Sequence, residues 1–208
     1  MFGFKMERKL IILIIIVLLL AAGGGVFYCL ELQEKRPEKV LIREAVKYPT
    51  EEEWVIKETP EGKIVENEKA GLKVRVPEGW KAEKTEIGRD EWIVNCFTPD
   101  MEVDQNNILK KGCGIGVIVE YNKDDSEYIR GYLNNSEYLQ AEGIEVIEVS
   151  GHLASKESLG KNPVVGESIA VQVPVENKVY VFDTLLIPNE KERCSQEFEK
   201  FLEGVVIK

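Results

Sequence analysis

Leu10 through Leu20 are all Leu, Ile or Val, and no charged residue occurs from Leu10 to Leu30. As a helix this stretch is about 31 Å long at ~1.5 Å per residue, matching a hydrocarbon core about 30 Å thick. Eleven central aliphatics favour insertion by roughly 4 kcal/mol, and Gly23-Gly24-Gly25 weaken the second half of the helix without adding charge. The pattern predicts one transmembrane helix over residues 10–30.

After that segment the pattern changes twice. Residues 31–61 read as a charged connector broken by Pro37, Pro49 and Pro60, with an acidic run at Glu51-Glu52-Glu53. From about Gly62 to Lys208 the chain reads as one folded domain. Leu72, Val74 and Val76 alternate with Lys73 and Arg75, the period of a strand with one dry and one wet face. Pro77-Glu78-Gly79 predicts a turn before Trp80.

Trp92–Thr98 and Cys113–Glu120 read as paired strands around a polar loop centred near Asp104 and Gln105. That register sets Cys96 against Cys113, Val94 against Ile115 and Trp92 against Val117, making one face wholly apolar. The opposite face sets Ile93, Asn95 and Phe97 against Gly116, Gly114 and Gly112. Asp124 to about Gln140 has helical spacing weakened at Gly131 and Asn134-Asn135, which predicts a broken helix. Ile144–Val149 and His152–Ser158 read as strands. Ile169–Val175 and Val179–Ile187 form a hairpin turning at Glu176-Asn177, with Val171 near Phe182 and Val173 near Tyr180. Asn189 reads as the cap of a last helix whose Cys194, Phe198, Phe201 and Leu202 form one apolar stripe. Val205–Ile207 follows as a short strand. The expected fold class is α+β, an antiparallel sheet covered by helices.

Charge places this domain. The formal net charge is −10, and Lys5, Arg8 and Lys9 lie before the apolar span. The denser positive flank favours an N-terminus (residues 1–9) in the cytoplasm and the remainder outside, as a single-pass protein of the cell membrane. A cleavable signal peptide would use Ala21 to Gly25 as its small-residue site. A lipoprotein start does not fit, because Val26-Phe27-Tyr28 precede Cys29. The acidic domain repels phosphates, so no nucleic-acid partner is expected. The expected partners are the bilayer, through the N-terminal helix, and another envelope protein.

Candidate chemistry changes the picture little. Directly opposed strand residues are about 4.5–5.5 Å apart at Cα, within disulfide range, so a Cys96–Cys113 bridge is feasible in an oxidising compartment. Asp100, Glu102, Asp104 and Asn106 alternate in the hairpin loop and suit Ca²⁺. Against an EF-hand, however, Gln105 replaces the turn glycine and Lys111 the bidentate Glu. His152 is the sole histidine. No nucleophile-elbow spacing occurs, and Gly112, Gly114 and Gly116 lack the spacing of a dinucleotide loop. Tyr121, Tyr128, Tyr132 and Tyr138 fit either core packing along a helix or a binding surface. No catalytic residue and no cofactor is expected, although a cleft lined by perturbed carboxylates would revive an enzymatic reading.

The run Gly71-Leu72-Lys73-Val74-Arg75-Val76-Pro77-Glu78-Gly79-Trp80 resembles the opening "GF-x-x-x-x-P-x-GW" of PsbP-like domains. The closing strand pair, helix and short strand agree with it, so the resemblance spans residues 62–208. It implies an α/β/α sandwich around an antiparallel sheet. Photosynthetic members are lumenal assembly and ion-retention subunits without enzymatic chemistry, and many bacterial relatives are membrane-anchored. No functional residue of the photosynthetic branch matches a position here. The expected function is a membrane-tethered, extracytoplasmic binding or assembly module; the alternative is a Ca²⁺ or small-molecule sensor using residues 100–106.

Overall fold

The computed structural model describes residues 46–208 except 61, 106–108 and 163–165. These residues belong to one compact unit, Arg43–Lys208. The expected anchor at Leu10–Leu30 lies outside the described residues. Among the described residues no helix is long and apolar enough to cross a membrane.

In chain order the strands are β1 (Val55–Thr59), β2 (Gly62–Asn67), β3 (Leu72–Arg75), β4 (Lys81–Gly88), β5 (Glu91–Phe97), β6 (Glu102–Val103), β7 (Leu109–Lys111) and β8 (Gly114–Glu120). Two helices follow, α1 (Lys123–Leu133) and α2 (Ser136–Glu142). Then come β9 (Glu145–Val149), β10 (His152–Asn162), β11 (Gly166–Val175), β12 (Lys178–Leu186), α3 (Lys191–Glu203) and β13 (Val205–Ile207). The main sheet has seven strands in the order β4-β5-β8-β12-β11-β10-β9, and a second has four in the order β1-β2-β3-β13. Every pairing in both is antiparallel.

Period-2 alternation gives the main sheet two different faces. On one, Val94, Val117, Phe182 and Val171 lie in register on successive strands and are fully buried. They share one core with Phe198 and Phe201 of α3 and with Val65, Val74 and Val205 of the four-stranded sheet. The Phe182 and Phe201 rings meet edge to face at 6.4 Å. Tyr180 is buried on the same face, and its hydroxyl donates to the Ala70 carbonyl. On the other face Val179 packs under Ile129 and Leu133 of α1 in a separate small cluster. Helices thus lie on both faces of the main sheet, as the α+β reading expected, and the second sheet shares one side with α3.

Four sequence readings need correction. The folded unit does not wait for Gly62, because β1 pairs with β2 along its length and Trp54 is buried in the core. Trp54 is held there by its indole N–H, which donates to the Trp92 carbonyl at 2.8 Å. The β5–β8 register differs by two residues: Val94 opposes Val117 and Cys96 opposes Ile115. A two-residue shift keeps every side chain on its expected face, so hydrophobic pattern alone does not detect it. The shift arises because the connecting loop forms its own β6–β7 hairpin with a bulge. Cys96 and Cys113 are therefore not bridged; Cys113 bonds to Cys194 of α3, with Cα atoms 5.3 Å apart, and Cys96 is a buried free thiol. Finally, α3 starts after Glu190 and has no side-chain cap, so Asn189 does not cap it.

Other expectations hold. Val171 opposes Phe182 and Val173 opposes Tyr180. The Cys194, Phe198, Phe201 and Leu202 stripe is buried. The helix after β8 breaks where the paired asparagines stand. Asn122 caps α1 by accepting from the Asp125 N–H, and Asn135 caps α2 by accepting from the Tyr138 N–H.

The disulfide closes a loop with a sequence separation of 81. Reduction, or Cys194→Ala, is expected to cost about 2–5 kcal/mol, read as a reductant-sensitive fall in the denaturation midpoint. Peptide mapping without reduction should find Cys113 joined to Cys194 and Cys96 alkylated only after unfolding. A contrasting change is Gly131→Ala on the exposed side of α1, where an added methyl group meets nothing within 4 Å. It should stabilise the protein by up to about 1 kcal/mol in urea titration.

Candidate functional site

The polar face of the main sheet is only partly covered. Helix α1 lies over its β12, β11 and β10 strands. Beyond them, above β5, β8 and β12, a groove of about 390 Å³ opens, within the usual range of small-molecule sites. Met101, Val103 and Leu109, on and beside the β6–β7 hairpin, form an apolar rim. Asn95, Gly116 and Asp183 lie side by side in register across three strands and form the polar floor.

Gly116 makes this floor possible. A Cβ there would sit 2.0 Å from the Asp183 carboxylate, so a larger residue would displace that carboxylate from its place across β8. Burial pushes the Asp183 carboxyl above the usual carboxylate range, partly offset by its hydrogen bonds with its own N–H and that of Gly116. Asn95 is held by its amide, which donates to Thr85 at 2.8 Å. Thr184 donates its hydroxyl to the Gly114 carbonyl at 2.9 Å. The groove thus offers one buried carboxyl, Asp183, one fixed amide and an apolar rim, with Glu83 also in its lining. Such a surface suits a small ligand with a hydrogen-bonding head and an apolar body.

The residues singled out in the sequence are distributed differently. Asp100 receives both guanidinium nitrogens of Arg193, at 3.0 and 3.1 Å. Those bonds hold its carboxyl well below the usual range, with Thr98 assisting. Asp104 lies 3.2 Å from Lys110, and Glu102 is exposed on β6. Asn106 lies outside the described residues. The Asp100 and Asp104 oxygens therefore face protein cations, and no group of three ligands able to hold a metal occurs among the described residues. Burial raises the Cys96 thiol to about 12, which makes it an inert core group. Asp183 was missed because it sits in an ordinary strand pattern; the one trace of it was the run of glycines at 112, 114 and 116 facing larger residues.

Solved structures similar to this chain include one from the PsbP family that the Gly71–Trp80 run resembles. That structure is the cyanobacterial PsbP of Synechocystis, at 12% identity and a TM-score of 0.40, covering 75% of this chain and 93% of that one. Another is LpqN of Mycobacterium tuberculosis, a protein involved in cell envelope biogenesis, at 15% identity and a TM-score of 0.42, covering 66% and 83%. A Bacteroides thetaiotaomicron protein matches at 9% identity and a TM-score of 0.43 over 66% of this chain, which spans only 45% of that protein's length. No protein-family model matches the sequence. No curated protein matches it either. Likeness at this level transfers neither site residues nor activity.

The raised Asp183 carboxyl predicts a pH effect with a definite sign. Its folded pKa lies above the unfolded value, so the ionised form costs stability once pH rises through the folded pKa. Below the unfolded value the cost is gone. Asp183→Asn should therefore raise Tm by about 2–4 °C at neutral pH, with the gain vanishing near about pH 4 in melts run across pH.

Proposed function

We propose that this chain is a membrane-tethered, extracytoplasmic module that binds or helps assemble another envelope protein and acts without catalysis. The observation that carries this reading is the Cys113–Cys194 disulfide, because such bonds persist in oxidising compartments outside the cytoplasm. The uncharged run from Leu10 to Leu30, with its cations on the N-terminal side, supports the same placement. The acidic character of the chain supports a protein partner over nucleic acid.

A second reading draws on the groove. One carboxyl with a raised pKa in a concave site is the arrangement of an acid–base group. What fits a binding role better is that the neighbouring Thr184 hydroxyl and Asn95 amide are already engaged by Gly114 and Thr85.

Placement is tested with an engineered thiol at Leu159, which is 57% exposed on β10. A membrane-impermeant maleimide should label Leu159→Cys in intact cells; labelling only after permeabilisation overturns the reading. Purification in detergent after crosslinking should bring down a stoichiometric envelope protein, and repeated recovery of the chain alone would count against a partner-binding role.

A further inference from the structure

A second concavity lies under the helical pair, apart from the Asp183 groove, with a volume of about 320 Å³. Its walls are three tyrosines, Tyr128 and Tyr132 of α1 and Tyr138 of α2. The Tyr128 and Tyr132 rings meet at 5.5 Å with planes 77° apart, and Tyr132 and Tyr138 at 5.4 Å and 35°. The Tyr128 and Tyr138 hydroxyls are 3.3 Å apart. Tyr132 is fixed from below, where its hydroxyl donates to Ser155 of β10 at 3.0 Å. These contacts pack the three rings against one another beside the space that they help to line.

The same space is lined by Glu120 from β8, Asp125 from α1 and Glu157 from β10. None of its described lining residues is cationic. Burial is the largest cause of the raised carboxyls at both Glu120 and Glu157, and at Glu120 the nearby Asp125 adds to it. Negative charge is therefore held in a partly dry space that a bound cation would relieve. Ile129 and Ile144 complete the lining with apolar surface. A primary ammonium, strongly hydrated, gains little from such walls. A methylated ammonium spreads its charge over an apolar surface, suits aromatic faces, and is balanced by carboxylates behind them.

We propose that the Tyr128–Tyr132–Tyr138 pocket binds a quaternary ammonium group, held by the three rings and neutralised by Glu120, Asp125 and Glu157. The shared chemistry is the trimethylammonium head, whether from a free choline-like solute or from a phosphocholine headgroup.

The test uses the full chain in a neutral maltoside detergent, titrated by calorimetry with choline, with its uncharged isostere 3,3-dimethyl-1-butanol and with glycerophosphocholine. Choline should saturate and bind about tenfold more tightly than the neutral alcohol. Tyr128 is 58% exposed, so its replacement leaves the core intact. Tyr128→Phe should keep choline binding because the ring face remains, whereas Tyr128→Leu should weaken it about fivefold or more. Glu157→Gln should weaken choline without affecting the alcohol. If glycerophosphocholine binds as well as choline, the head is taken from a lipid; if it is excluded, from a free solute. Equal affinity for choline and the alcohol overturns the proposal. So does the absence of saturation at about 100 mM choline, or undiminished binding by Tyr128→Leu.

Discussion

The structure depends on strict alternation along the central strands of the main sheet. Side chains at odd and even positions of β8 and β12 point to opposite faces, so each strand builds the core and a surface at once. Val117 and Phe182 supply the dry side. Gly116 and Asp183, their immediate neighbours in sequence and partners across the strand pair, supply the polar side. The same backbone therefore sets the packing on one side and the floor of the groove on the other.

On the dry side, three separate stretches of chain must converge. Trp54 comes from the segment before β1, Val65 and Val74 from the four-stranded sheet, and Phe198 and Phe201 from α3. The Cys113–Cys194 bond links the start of β8 to α3 and fixes the helix against the sheet it covers. Asp100 and Arg193 make a second link between the same regions at the surface. A bidentate pair of that kind is weak alone when solvent reaches it, and gains value by acting beside a covalent tie. The acidic loop before β6 is thus a fastening for α3.

The polar side follows a different rule. One concavity lies where the sheet is not covered and the other under the helical pair, and each is bounded by a local feature of the chain. Near Asp183 the boundary is the extra β6–β7 hairpin and the absence of a side chain at Gly116. Near Glu157 it is the break between α1 and α2, which swings Tyr138 back toward Tyr132. In both places a carboxylate lies partly out of water with no basic residue among the described residues of the lining. That charge is a cost to folding, and it is also what gives each space a preference for what enters it.

Pattern alone determined the alternating strands, the broken helix at the paired asparagines, the β11–β12 register and the buried stripe of α3. Each of these rests on interactions between residues close in sequence or joined by a short turn, where period and turn length leave one solution. What only the tertiary structure decided concerns residues far apart. Cys113 found Cys194 instead of Cys96, because a β6–β7 hairpin in the long connection shifted the strand pairing by two places and left the faces unchanged. Trp54 joined the core through a strand whose exposed, charged residues read as connector. Asp183 and Glu157 became site residues through what lies above and beside them, and a sequence carries no local record of what distant segments place over a strand.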